Sequence, residues 1–382
     1  MSLTGRLMTR WMQLPPAQTR DIVITRNIPV PMPDGTTLLA DHYAPRTDPH
    51  LPTLLIRTPY GRRGFFGGMM ALPYAERGYQ VLIQSCRGTA GSGGQFRYAR
   101  HEHDDGLATI AWLKQQAWFS GELAMLGPSY LGFVQWAVAA DAGPELTALI
   151  PQVTAADFHH FRFQGGSFTL ETILGWSTMM TSWAERGLGL RSLLAQRWQA
   201  RKLEQAFGHL PLGEADRAVL GRPSQHFQAY LQHGPQDDYW KPIDVSSRLA
   251  EVNAPAYLMG GWYDMFLAWQ LRDYQTLRAA GKRPFLLVGP WTHTEFSSSA
   301  VTAQESLAWL DRHVKGKPGR LREAPVRLYV MGEGAWREFA DWPPPARSER
   351  WYLQPGGALD QAIPPASEPD RYRYDPADPT RQ

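Results

Sequence analysis

Only one cysteine, Cys86, occurs in the 382 residues, so no disulfide can form within the chain. A disulfide-stapled scaffold is thereby excluded, and the expected compartment is a reducing cytoplasm. Charge of one sign is scarce as well: 39 Lys and Arg face 36 Asp and Glu, a net charge of +3, with no long basic run. On that balance neither nucleic acid nor an anionic membrane is an expected partner. Apolar runs stop short of membrane-spanning length. Residues 1–20 carry basic side chains but no continuous apolar core before Pro15 and Pro16, unlike a signal peptide. The glycine-rich stretch from Cys86 to Gly94 lacks a following Gly-Lys-Ser/Thr element, so no phosphate cradle and no nucleotide cofactor are expected.

Apolar material is plentiful. Hydrophobic residues make up 43% of the chain, with 15 each of Trp, Tyr and Phe, enough for sizeable cores in two or three domains. Ile22, Ile24, Ile28 and Val30 are spaced for a strand, Asp34-Gly35 supplies a turn, and Thr36 to Tyr43 alternates back as the second arm of a hairpin. Leu54-Leu55-Ile56, Val81-Leu82-Ile83 and Leu146 to Ile150 are short and apolar throughout, and helix-like stretches near Met69 to Arg77 and Gly106 to Gln116 alternate with them. This predicts a mainly parallel sheet covered on both faces, an α/β fold. The run His101 to Asp105 reads as a solvated acidic cap on the second helix rather than as a metal site of His101 and His103, and no metal is expected.

Chemistry is signalled between Leu123 and Gly132, where an apolar strand stops at Gly127-Pro128-Ser129 and an apolar helix pattern begins at Tyr130. Glycine reaches backbone angles closed to other residues and proline fixes its own, so this turn can push the Ser129 hydroxyl out of the sheet edge as a nucleophile elbow. The usual spacing is Gly-x-Ser-x-Gly, whereas here Leu131 holds the last place and Gly132 follows it; a chance turn serine is the bland alternative. Two further polar residues stand just past later strand patterns, Asp264 after Ala256 to Gly261 and His293 after Phe285 to Gly289. Residues beyond the C-termini of parallel strands gather at one sheet edge, so Ser129, Asp264 and His293 are predicted to converge. Their order along the chain is that of an α/β-hydrolase triad. Taken singly, Asp264 fits a helix cap and His293 a loop histidine.

No strand pattern is convincing between Ile150 and Ala256, and the aromatic-rich stretch there, with Trp176, Met179, Met180 and Trp183 near helical spacing, reads as a helical insertion. Its stripe fits a helix core, and a cap over the site would also place some of these rings against substrate. The expected organisation is an α/β core over residues 21–155 and 251–318, a helical cap over 156–250, a linker from Lys315 to Gly319, and a β module over 325–382 that opens with Val326 to Val330.

These residues resemble the family of cocaine esterase, X-prolyl dipeptidyl-peptidases and α-amino-acid ester hydrolases. The resemblance is carried by Gly127-Pro128-Ser129-Tyr130-Leu131-Gly132, Gly261-Trp262-Tyr263-Asp264 and Gly289-Pro290-Trp291-Thr292-His293. Met32 to Thr36, Arg57 to Tyr60, Cys86 to Thr89 and Asp238-Tyr239-Trp240 add to it, so it runs over nearly the whole chain. It implies an α/β-hydrolase fold with a helical cap and a C-terminal β-sandwich of jelly-roll type, and acyl transfer in which Ser129 attacks, His293 carries the proton and Asp264 orients the imidazole. It also implies an oxyanion site made by the Tyr130 backbone N–H and the Tyr60 hydroxyl. The family's second domain is long, whereas this chain ends soon after Tyr372 to Pro379. The expectation is therefore a fragment or a truncated sandwich whose open edges invite pairing with another copy.

The leading expectation is an ester hydrolase acting on a small-molecule ester or related amide, with an aromatic pocket of Trp262, Phe266, Trp176 and Trp183. An alternative is a peptidase or amino-ester hydrolase that recognises a free α-amine through Glu171, Glu185 or Asp157, because a buried ammonium must be paired. A non-catalytic binding protein of the same fold and a metal hydrolase using His101 and His103 are the more distant alternatives.

Overall fold

Short apolar segments that fill both faces of a sheet dominate the first part of the chain, and they build its centre. A computed structural model describes residues 3–46, 48, 50–166, 168–186, 200–295, 300–317 and 321–375. Two compact units result, Met1–Ala340 and Asp341–Gln382. In the first unit ten strands form one sheet: β1 (Ile22–Pro31), β2 (Thr37–Pro45), β3 (Thr53–Thr58), β4 (Gln80–Ser85), β5 (Leu123–Pro128), β6 (Leu146–Gln152), β7 (Tyr257–Tyr263), β8 (Phe285–Thr292), β9 (Val326–Val330) and β10 (Ala335–Phe339). Their spatial order is β1-β2-β4-β3-β5-β6-β7-β8-β9-β10.

The strands from β4 to β9 pair in parallel, and antiparallel pairs are confined to β1 with β2, β2 with β4 and β9 with β10. Every residue of β3 and β4 is buried, as fits strands covered on both faces by helices. The opening hairpin forms as its sequence predicts, with a register shift between Thr25 and Ile28 where Asn27 adopts a positive φ of 56°.

Helices α1 (Leu3–Trp11), α2 (Gly64–Ala75), α3 (Glu102–Leu113) and α4 (Tyr130–Ala139) precede the insertion. All ten residues of α4 are buried, which accounts for its lack of a polar face. Residues between β6 and β7 are helical or irregular where described, with α5 (Leu170–Arg186), α6 over 200–207, α7 (Ala215–Leu220) and α8 (Gln225–Gln232), and one isolated bridge between Asp157 and Asp244. Helices α9 (Leu267–Ala279) and α10 (Ala300–His313) then alternate with the last parallel strands. Among the described residues, no helix is long and apolar enough to cross a membrane.

Two features differ from the reading of the sequence. The His101–Asp105 run is only partly a solvated cap: its acids stand in the first turn of α3 with His103 and Asp104 in solvent, but Glu102 and Asp105 are 2% and 1% exposed because Arg57 and Arg87 hold them from inside. The stretch 325–340, placed by its alternation in a separate β module, instead extends the main sheet, with β9 parallel to β8 and β10 antiparallel to β9. Glu305 of α10 fixes that extension, since its carboxylate takes Arg322 and Arg327 at 2.6 Å each and the Tyr257 hydroxyl at 2.8 Å. The second unit begins at Asp341 and contains a hairpin of β11 (Tyr352–Gln354) and β12 (Ala358–Asp360). Pro318 and Gly319 of the expected linker, and residues 376–379, lie outside the described residues.

Candidate active site

Strand β5 ends at Pro128 and α4 begins at Tyr130, so Ser129 has to turn the chain alone, at φ 57° and ψ −121°. A non-glycine residue in that region is strained, and such strain persists only where surrounding contacts determine it. Here the Ser129 N–H donates to Gln152 O of β6 at 2.8 Å, and its carbonyl receives Gly132 and Phe133 of α4 at 2.8 and 3.0 Å. Gly127 takes φ 148°, and Gly132 is set against Thr154 so closely that a Cβ would come within 2.3 Å of the threonine methyl. The extra residue before the second glycine thus serves helix packing against the start of the insertion.

Asp264 is the first residue after β7 and His293 the first after β8. Parallel strands bring them to the edge where Ser129 stands. His293 Nδ1 lies 2.6 Å from Asp264 Oδ2, and His293 Nε2 lies 3.0 Å from Ser129 Oγ. The other carboxylate oxygen, Asp264 Oδ1, accepts the Phe266 N–H at 2.8 Å, which fixes the carboxylate plane. The Asp264 side chain is 1% exposed and that of His293 23%, so the carboxylate is shielded while the imidazole reaches the cleft.

Tyr60 follows β3, where its N–H donates to Thr58 Oγ1 at 3.0 Å. Its phenol oxygen accepts from Trp176 Nε1 at 3.3 Å and is hydrogen-bonded with Ser129. Burial raises the phenol pKa, so Tyr60 stays protonated at neutral pH. Tyr130 opens α4, and its N–H is among the first-turn donors that a helix leaves unused. The Tyr130 side chain points into the core instead: its hydroxyl donates to Glu102 Oε1 at 2.7 Å and accepts the Ala99 N–H at 3.0 Å. Glu102 Oε2 meets Arg57 Nη1 at 2.9 Å and receives the Cys86 thiol at 3.6 Å. Burial and then the Glu102 charge push that thiol well above its usual pKa, as befits a structural cysteine rather than a nucleophile.

Aromatic rings line this edge. Trp176 stacks on Tyr130 at 6.3 Å and meets Tyr98 edge-on at 4.9 Å. Phe266, 2% exposed, lies 5.5 Å from the His293 ring and is covered by Phe158 and Phe161 at 5.3 and 4.1 Å. Trp262 is half-buried, with its indole N–H donating to Tyr329 O of β9 at 2.7 Å. The side chains of Trp183 and Glu185 lie outside the described residues. Tyr98, Phe158 and Phe161 were not singled out in the sequence, because they lie well beyond the ends of β4 and β6, where the strand-end rule that finds Asp264 gives no signal.

One other group of potential ligands occurs among the described residues: Asp157, His160 and Asp244 have ligand atoms within 4.8 Å of one another. Each already has a partner. Asp157 Oδ2 holds His160 Nδ1 at 2.8 Å, Asp157 Oδ1 accepts the His159 and His160 N–H groups, and Asp244 Oδ1 accepts from Ser246. His103 sits between Asp104 and Asp141 at the surface.

A doubly covered parallel sheet, an elbow after β5 and a serine, histidine and aspartate gathered at its edge define a hydrolase of the α/β-hydrolase fold and the serine-hydrolase class. The chain belongs to the X-Pro dipeptidyl-peptidase (S15) family, whose profile matches residues 34–295. Residues 319–382 match the X-Pro dipeptidyl-peptidase C-terminal non-catalytic domain. Cocaine esterase of Rhodococcus sp. (strain MB1 Bresler) is 31% identical over 93% of this chain and 68% of its own length. An aminopeptidase from a marine sediment Thaumarchaeota archaeon shares the fold at TM-score 0.74 and 21% identity, over 92% of this chain and 64% of that one. An α-amino acid ester hydrolase does so at TM-score 0.64 and 19% identity, over 93% and 65%. The chain therefore spans about two thirds of the length of these relatives.

Proposed function

We propose that this chain is a carboxylic-ester hydrolase that works through an acyl-enzyme on Ser129. The observation that carries the reading is the unbroken line of bonds from Asp264 Oδ2 through His293 to Ser129 Oγ, each residue standing immediately past a parallel strand. With its Nδ1–H donated to Asp264, His293 presents Nε2 as an acceptor, so it can take the hydroxyl proton as Oγ attacks the ester carbonyl. The negative charge that then forms on the carbonyl oxygen meets the Tyr60 hydroxyl and the Tyr130 N–H. His293 returns the proton to the leaving alcohol, and a water molecule repeats the sequence to free the acid.

An amine-recognising peptidase is less well supported by the surroundings. A buried ammonium needs a carboxylate, yet Phe266 takes the place beside Asp264, Asp157 is engaged by His160, and Glu171 is exposed. Labelling with a fluorophosphonate, compared with Ser129→Ala, tests the nucleophile; equal labelling of both proteins would remove it. Turnover of an acyl ester with and without an α-amino group tests the substrate class, and strict dependence on the amine would replace the ester reading by the peptidase one.

A further inference from the structure

Among the buried charges that the mechanism leaves unused is that of Arg162. It ends the short 3-10 turn His160–Arg162 past β6 and is 2% exposed. The buried guanidinium groups of Arg57, Arg62, Arg87 and Arg322 each hold a carboxylate, and that of Arg77 is held by the Pro15 and Pro73 carbonyls and the Thr9 hydroxyl. Among the described residues Arg162 holds no carboxylate: Nη1 donates to Phe158 O at 2.8 Å, and Nε has no acceptor. Its other neighbours are aromatic: it is hydrogen-bonded with the Tyr98 and Tyr230 phenols, and its Cζ lies 4.2 Å from the Phe161 centroid, 4.4 Å from Tyr98, 5.4 Å from Tyr230 and 5.5 Å from Phe158.

Those rings connect Arg162 to the site on two sides. Tyr98 meets Trp176, whose indole reaches Tyr60. Phe161 meets Phe266, which lies against His293. The nearby acids are occupied elsewhere, Asp157 by His160, Asp244 by Ser246 and Glu102 by Arg57. The charge is felt along this wall: burial raises the phenols of Tyr98 and Tyr230 while Arg162 pulls them back, at His226 burial and then Arg162 disfavour the protonated ring, and at Tyr60 burial is opposed first by the Trp176 and Ser129 hydrogen bonds and least by Arg162. Aromatic faces left open would attract a cation. Here a resident cation already occupies them.

We infer that Arg162 sets the charge preference of the acyl pocket, favouring acyl groups that are neutral or carry a carboxylate and rejecting those that carry an ammonium. The inference rests on the ester-hydrolase reading of Ser129 and names its substrate class. Within a water-poor wall a unit charge acts over longer range than in water, and a guanidinium with no ion pair among the described residues raises the cost of bringing in a second positive charge.

The test uses three aryl esters of matched chain length, one neutral, one ending in a carboxylate and one bearing an ammonium, with the Ser129→Ala background subtracted. The readout is the ratio of kcat/KM for the carboxylate ester to that for the ammonium ester, which loss of active fraction does not move. The expected ratio is about tenfold or more at both low and high salt, falling at least about fivefold in Arg162→Met and retained in Arg162→Lys. A wild-type ratio near one overturns the inference, as does an unchanged ratio in Arg162→Met. If Arg162→Met does not fold, the wild-type salt series decides, because a ratio that collapses with salt assigns the preference to surface charge. Absence of wild-type turnover of the neutral ester ends the Ser129 reading; neutral turnover without charge preference ends only this inference.

Discussion

Trp176 Nε1 donates to the Tyr60 phenol oxygen at 3.3 Å, joining the insertion to the loop after β3. The same phenol is hydrogen-bonded with Ser129, which places it beside the nucleophile, and burial keeps it protonated at neutral pH. Tyr60→Phe is therefore expected to lower kcat about 10²- to 10³-fold with little change in KM, since the donor acts on charge that exists only in the transition state. Trp176→Phe, which releases the phenol without removing it, is expected to lose less. Steady-state kinetics on any ester that is turned over checks both, and Tyr60→Phe with kcat within about threefold of wild type would exclude the oxyanion role.

Asp264 offers a sharper test because its two oxygens have separate tasks. Oδ1 accepts the Phe266 N–H, and Oδ2 faces His293 Nδ1. In Asp264→Asn the amide oxygen keeps the Phe266 bond, which turns the NH₂ group toward Nδ1 and selects the tautomer whose Nε2 carries hydrogen. Such an imidazole cannot accept the serine proton. A fall in kcat of about 10⁴-fold at neutral pH is expected without loss of fold. Slow fluorophosphonate labelling with an unchanged melting curve checks it.

The same strand-end geometry explains what the sequence makes legible. Ser129, Asp264 and His293 each end a short apolar run, and a parallel sheet leaves such residues only one edge to occupy. The helical insertion is legible as a lack of strands, but not which of its rings face the cleft. Trp176 reaches Tyr60, whereas Trp262, on the strand that delivers Asp264, is tied to β9. The place of β9 is likewise not local information, since its alternation suits a β module as well as a sheet edge. Pairing with β8 and the convergence of Arg322 and Arg327 on Glu305 decide it. Glu102 misled for a related reason: an acid in a charged run is read as solvated, and its partner Arg57 lies 45 residues away in sequence.

That Arg57–Glu102 pair sits under the elbow with both side chains out of solvent. Glu102→Gln leaves the guanidinium without a counter-charge and weakens the Tyr130 contact. A loss of about 3–5 kcal/mol is expected, against about 1–2 kcal/mol for Tyr130→Phe, which deletes only the hydroxyl. Urea unfolding at neutral pH measures both. A Glu102→Gln cost below about 1 kcal/mol would show that the pair is not needed to hold α4 in place.

Two histidines far from the chemistry set an acid limit on the fold. His42 is 7% exposed and stacks on Trp118 at 4.0 Å; His159 is fully buried and stacks on Trp240 at 4.3 Å. Burial lowers each pKa to about 4, while in the unfolded chain each returns to about 6.5. Between those values the unfolded state binds protons that the folded state refuses, so stability falls as pH drops through this window and is insensitive to these two groups above about pH 7.5. Each ring contributes a slope of up to about 1.4 kcal/mol per pH unit, so together they approach about 2.7 near pH 5. Burial also lowers His226 and His313, so urea midpoints between about pH 7.5 and 5 should fall more steeply than these two rings alone require, and His42→Gln should flatten the fall by about a quarter. Unchanged steepness in that variant would mean that His42 takes up its proton without unfolding, through local opening of the Trp118 stack.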